Sequence, residues 1–158
     1  MSAATKPSIV PEANVVEAVP FFGVSDMDAS LRFYVDGLGF EVAVKWEPDG
    51  KIRWCRLQLG GAGLMLQDFR KEDGRIRPPE GKLGVGVSVC FTCKDALAIY
   101  RRAVARGLHP KEPFVGNGLW VAGLTDPDGY RVDFDSPTDA PEEITLSEWE
   151  ARNAGGKS

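Results

Sequence analysis

Asp28-Ala29 recurs as Asp95-Ala96, 67 residues on, and Gly39 recurs as Gly107, 68 residues on. Each of these pairs brackets a stretch with helical spacing. Each helix follows one β-rich run and precedes three more, so the order β-α-β-β-β occurs twice. One helix cannot bury a sheet alone, which makes pairing of the two modules the main constraint on the fold. The expected class is α+β: two βαβββ modules forming a curved mixed sheet, with helices outside and a cleft inside.

The apolar pattern supports each element. Met27, Leu31, Tyr34 and Leu38 fall on one helical face. Ser25 opens that helix as a near relative of the capping box, and Gly37 and Gly39 close it. Strands are predicted over 40–46, 51–59 and 63–69, divided by Pro48-Asp49-Gly50 and Gly60-Gly61. A charged segment over 70–83, with Pro78-Pro79, reads as a linker. The second module has a strand over 85–92. Its helix, over 95–106, carries Ala96, Ile99, Tyr100, Ala103 and Val104 on one face. Strands follow near 109–115, 119–125 and 130–135, and Asp126-Pro127-Asp128-Gly129 turns between the last two. A short helix is expected around 147–152. The expected organisation is a flexible, proline-bearing arm over 1–14, a domain over 15–136 with modules at about 15–69 and 84–136, and a tail over 137–158.

Composition narrows the function. A chain of 158 residues suits one domain. A net charge of −4 and a pI near 5.1 argue against nucleic-acid binding, which needs a basic footprint. No run of 18 apolar residues suggests a membrane span, and the N-terminus shows no apolar signal core, so a cytoplasmic setting is expected. Cys90 and Cys93 have C-x-x-C spacing, but in a strand-like run without a second pair. With Cys55 they read as small structural residues rather than a zinc or redox site. The one histidine, His109, follows a helix end, and one histidine is too few for a histidine-rich metal centre.

Two stretches, AVPFFGVSDMDASLRFYVDGLGFEV and LTDPDGYRVDFDSP, resemble the vicinal-oxygen-chelate superfamily of glyoxalase I, bleomycin resistance proteins and extradiol dioxygenases. The first is similar to its V-x-D-x-x-x-S-x-x-FY-x-x-x-LGF pattern and the second to its D-P-D-G-Y-x-V-E ending. The resemblance covers about residues 15 to 136 and implies the paired-module fold. It also implies four metal-ligand positions in the family's enzymes, which fall here at Val19, Met65 or Gln67, Ser88 and Asp133. Only Asp133 is an anionic ligand type, so neither metal nor other cofactor is expected.

Strand parity then assigns a cleft. Trp54, Arg56 and Gln58 share one face of their strand, opposite Cys55, Leu57 and Leu59. Met65 and Gln67 share a face opposite Leu64 and Leu66. Val85, Val87, Val89 and Phe91 read as core, with Gly86, Ser88 and Cys90 on the other side. Phe21, Trp120 and Asp133 complete the predicted ligand-binding set, with the core as the alternative place for Trp120, whose parity matches Leu124. An aromatic-walled pocket with a few polar anchors suits a planar ligand, and Asp133 suits a cationic one. The expected function is metal-independent binding of a small molecule, a bleomycin-like or other aromatic antibiotic. The resemblance to the bleomycin resistance group implies a homodimer with clefts at its interface. The alternative is a divergent lyase, isomerase or dioxygenase with an atypical metal site.

Overall fold

The computed structural model describes residues 14–155. The arm expected over 1–14 lies outside the described residues, apart from Asn14. The first module runs β1 (Phe21–Val24), α1 (Met27–Leu31), a π-helical continuation (Arg32–Gly37), β2 (Glu41–Trp46), β3 (Trp54–Leu59) and β4 (Ala62–Asp68). The second runs β5 (Ser88–Thr92), α2 (Ala96–Ala105), β6 (Phe114–Gly116), β7 (Leu119–Thr125) and β8 (Arg131–Pro137), followed by α3 (Leu146–Ala154). The class is α+β, and each module forms its own four-stranded mixed sheet. The strand orders are β1-β4-β3-β2 and β5-β8-β7-β6. In each sheet the first strand runs parallel to the last, and the remaining pairs are antiparallel.

Both module helices start on an aspartate. Asp26 accepts from the Ala29 amide at 3.1 Å and Asp95 from the Ala98 amide at 2.9 Å. These caps satisfy donors that the first helical turn leaves free. Ser25 is therefore not the cap; its own amide donates instead to the Asp128 carboxylate. The Leu38 amide bonds to the Phe33 carbonyl, five residues back, at 3.0 Å. The wider turn departs from the 3.6-residue spacing and buries the neighbours Phe33 and Tyr34 together.

One core joins the modules. Phe40 of the first meets Phe91 of the second with ring centroids 5.7 Å apart, and Phe91 stacks on Phe134 at 5.3 Å. Each such side chain contributes about 1.5–3 kcal/mol by leaving water. A second core holds Trp120, Val115, Ala96, Ile144 and Leu146. The chain before α3 covers the edge of β6, where the Val115 amide bonds to Ile144 and the Leu146 amide to Pro113. The helix expected around 147–152 is present and slightly longer, opened by a capping box between Thr145 and Glu148.

The strand expected over 85–92 begins only at Ser88. Gly84 and Gly86 have φ of 73° and 76°, a left-handed backbone that breaks the extended run. Val85 and Val87, expected in the core, are 74% and 60% exposed. Val104 is likewise exposed rather than buried, because α2 turns only its Ala96–Ala103 side fully inward.

Candidate functional site

Each sheet has a face packed on the helices and a face left open. In the first, Phe22, Val24, Cys55, Leu57, Leu64 and Leu66 are buried beneath the helix. The open face follows from the register. Trp46 lies opposite Trp54, Trp54 opposite Gln67, and Gln67 opposite Gly23. The next row runs Val44, Arg56, Met65, Phe21, and Gln58 pairs with Gly63. Phe21, Val44 and Trp46 are 53%, 53% and 57% exposed, a concentration of apolar surface on one face of the sheet. Directly opposed positions on neighbouring strands hold their Cβ atoms about 4.5–5.5 Å apart, so the two indoles supply adjoining aromatic surface.

Two cavities open on this wall. Phe21, Gly23, Gln67 and Phe69 line one of about 300 Å3, and Trp46, Pro48, Arg53 and Gln67 line one of about 360 Å3. Gln67 borders both. Beneath their shared edge, Arg53 and Asp68 have side chains only 9% and 8% exposed and lie 3.5 Å apart, with Asp49 on the other side of the guanidinium. Burial pushes the Asp68 carboxyl above its ordinary range despite Arg53 beside it. This pair fixes the ends of β3 and β4 and so the floor of both cavities.

The second sheet shows a different wall. Its open face holds the rows Thr125-Arg131-Ser88, Gly123-Asp133-Cys90 and Val121-Asp135-Thr92. Phe114 extends the last row through its pairing with Val121. Asp133 lies against Gly123 with Arg131 Nε at 3.0 Å from Oδ1. Cys90 is exposed on this wall, whereas Cys93 packs against the core and donates to the Asp135 carbonyl at 3.3 Å. The C-x-x-C pair thus points two ways. Burial pushes the Cys55 thiol up to about 11, leaving it protonated at neutral pH.

The structure therefore places Phe21, Trp54, Arg56, Gln58, Met65 and Gln67 together on the first wall, and Ser88 and Asp133 on the second. None of the five cavities described is lined by both walls. Trp120 is a correction. It shares the parity of Ala122 and Leu124, is 6% exposed, and meets Trp149 of α3 edge-on at 6.4 Å. It belongs to the second core, not to a ligand wall. Sequence reasoning missed Val44 and Trp46. Their register shifts at a bulge between Val42 and Val44, so simple alternation along β2 gives the wrong faces. The available signal was Trp46 facing Trp54 across the Pro48–Gly50 turn.

The family's four ligand positions do not fit a metal. Val19 has no donor, Met65, Gln67 and Ser88 are poor ones, and the one carboxylate, Asp133, is paired with Arg131. Among the described residues no group of three or more His, Cys, Asp or Glu side chains could hold an ion. His109 is exposed in the loop before β6.

Paired βαβββ modules with open, ligand-sized walls define a class of two-module scaffolds. The family model for the Glyoxalase/Bleomycin resistance protein/Dioxygenase superfamily matches residues 16–134, and the chain belongs to that superfamily. Among solved structures it is similar to TioX from Micromonospora sp. ML1, with 20% identity and a TM-score of 0.61 over 78% of this chain and 99% of that one. It is similar to TnmS3, an antibiotic binding protein from Streptomyces sp. CB03234, with 24% identity and a TM-score of 0.58 over 78% and 98%. The bleomycin resistance determinant encoded on transposon Tn5 is 23% identical, with a TM-score of 0.60 over 78% and 98%. None of the curated proteins searched matches the chain.

Proposed function

We propose that this protein is a metal-independent binder of planar aromatic small molecules, a bleomycin-like or other aromatic antibiotic among them. The observation that carries the reading is the first wall: Trp46 opposite Trp54, with Phe21, Val44 and Met65 beside them, open to solvent over two adjoining cavities. Stacking on such a surface needs no metal and no general base. Names of similar structures point the same way, since one is called an antibiotic binding protein and another was solved with bleomycin.

The proposal includes a homodimer. The exposed apolar first wall gains a cover when it faces the second wall of a partner protomer, and the cleft then has Ser88 and Asp133 on its far side. A cytoplasmic setting is part of the same reading. No described helix is long and apolar enough to cross a membrane, and the three cysteines are free thiols.

A thermal-shift screen of the full chain against bleomycin-type glycopeptides and small aromatics tests the reading, because a specific binder raises the unfolding temperature by mass action. Stabilisation that saturates with ligand is the expected result. Stoichiometric tightly bound metal, or turnover of a 2-oxo or catechol substrate, would instead support a divergent enzyme.

A further inference from the structure

The charged segment after β4 folds back on itself as a tight hairpin over 69–77. The Arg77 amide donates to the Phe69 carbonyl at 3.0 Å, the Lys71 amide to the Arg75 carbonyl at 2.9 Å, and the Gly74 amide to the Lys71 carbonyl at 2.9 Å. Gly74, with φ of 79°, makes the turn, and Arg70 faces Ile76 across it. The hairpin holds Arg70 and Lys71 at the edge of the first wall, where both line the cavity of Phe21 and the cavity of Trp46. Arg70, Lys71, Arg75 and Arg77 outnumber Glu72 and Asp73 in this segment, although the chain as a whole carries a net charge of −4.

That positive charge is least opposed at the Phe21 cavity. Its apolar lining is Phe21 and Phe69, and the Phe69 ring lies over Gly23, where a Cβ would stand 2.2 Å from it. Its charged lining is Asp68, Arg70 and Lys71. Asp68 is buried and already has two guanidinium groups at 3.5 Å, from Arg53 and Arg70. Arg70 Nη1 donates to the Gly74 carbonyl at 2.7 Å. Among the described residues, Arg70 Nη2 and Lys71 Nζ have no partner. The remaining acids lie elsewhere. Glu72 lines only the Trp46 cavity, and Glu17 is bound to Arg56. Glu41 is paired with Gln58, four residues along β3 from Trp54, or roughly 13 Å. Asp26 and Asp28 line a separate hollow beside α1, which Arg70 also reaches and Lys71 does not.

We propose that the preferred ligand is a planar aromatic acid. Its ring lies on the Trp46 and Trp54 indoles, and its carboxylate or other oxyanion enters the Phe21 cavity to meet Lys71 Nζ and Arg70 Nη2. Trp54, Gln67 and Gly23 share one row, so the acid group stands two strand spacings from Trp54, about 10 Å, within the span of a substituted tricyclic ring. The inference rests on the aromatic-binding reading above and assigns the charge of the ligand within it.

Calorimetric titration of the full chain with anthraquinone-2-carboxylate and its neutral counterpart, anthraquinone-2-carboxamide, tests it. The acid should bind about fivefold more tightly, the gain of one solvent-screened ion pair. Lys71 is exposed, so Lys71→Gln spares the fold; it should abolish that advantage and leave the amide unchanged. Raising the salt concentration should narrow the advantage in the wild type. An amide that binds the wild type as tightly as the acid, or an acid whose advantage survives Lys71→Gln, overturns the inference while aromatic binding stands. If neither probe binds, the aromatic-binding reading itself fails, and the inference with it.

Discussion

Tyr34 Oη donates to Asp126 Oδ2 at 2.8 Å, and this buried bond joins the first module to the second. Asp126 also accepts from the Asp128 and Tyr130 amides, each at 2.9 Å. Asp128 receives the Ser25 amide at 3.0 Å, and the Tyr130 ring stacks on Phe22 with centroids 4.2 Å apart. The turn Asp126–Tyr130 is therefore a latch between modules, and it sets how the two sheets sit. Replacing Tyr34 with Phe removes the bond but keeps the ring. The expected loss is about 1–3 kcal/mol, because the buried Asp126 carboxylate loses a partner. Denaturant unfolding should show a lower midpoint with an unchanged slope.

The same bond gives the protein an alkaline limit. Burial, and then the Asp126 charge, holds the Tyr34 hydroxyl far above the ordinary phenol range. The folded state keeps a proton that the unfolded chain releases. The stabilisation is thus fully present below about pH 10, the unfolded value, and is lost progressively as pH rises above it. Unfolding free energies measured across that range should fall with a steeper slope in the wild type than in Tyr34→Phe. Some slope will remain in the variant, because burial also raises Tyr130.

Arg53 is the second buried charge whose partners matter. It lies 3.5 Å from Asp68 and also binds Asp49, with Arg70 approaching Asp68 at 3.5 Å from the other side. Arg53→Met leaves Asp68 with the partly exposed Arg70 alone. A cost of about 2–3 kcal/mol is expected, below that of a buried charge left with no cation at all. Thermal unfolding checks this, and Arg53→Lys should recover part of the loss.

Gly123→Ala tests the seat of Asp133. The added methyl would stand 2.8 Å from Oδ1, so the carboxylate must move off the sheet and strain its bond to Arg131. The expected cost is about 1–3 kcal/mol. In an Asp133→Ala background the same substitution should cost much less, and the double-mutant cycle measures that coupling.

Much of the fold was legible because its signals are local or periodic. Asp95 caps α2, Gly107 ends it, and the repeat of Asp28 and Gly39 as Asp95 and Gly107 announced two modules. The placement of Trp54, Arg56, Met65 and Gln67 on one face followed from alternation along regular strands. Alternation failed where a backbone irregularity intervened. The bulge in β2 hid Val44 and Trp46, and the left-handed glycines 84 and 86 released Val85 and Val87 from the core. The parity of Trp120 leaves both cleft and core open. Its face is covered by α3 from the tail beyond the repeat, and the sequence of β7 alone does not reveal that cover. The pairing of Glu17 with Arg56 was equally invisible, since it joins residues 39 apart through the geometry of the sheet edge.

The central claim is that the paired indoles of the first wall bind ligand. Its most direct test is titration of an aromatic ligand from the screen into the wild type, Trp46→Ala, Trp54→Ala and the control Trp149→Phe, which changes only the second core. The account predicts that each of the first two substitutions weakens binding about tenfold or more, as losing an aromatic stacking surface should, while Trp149→Phe leaves affinity unchanged. Wild-type affinity in both Trp46→Ala and Trp54→Ala would contradict it.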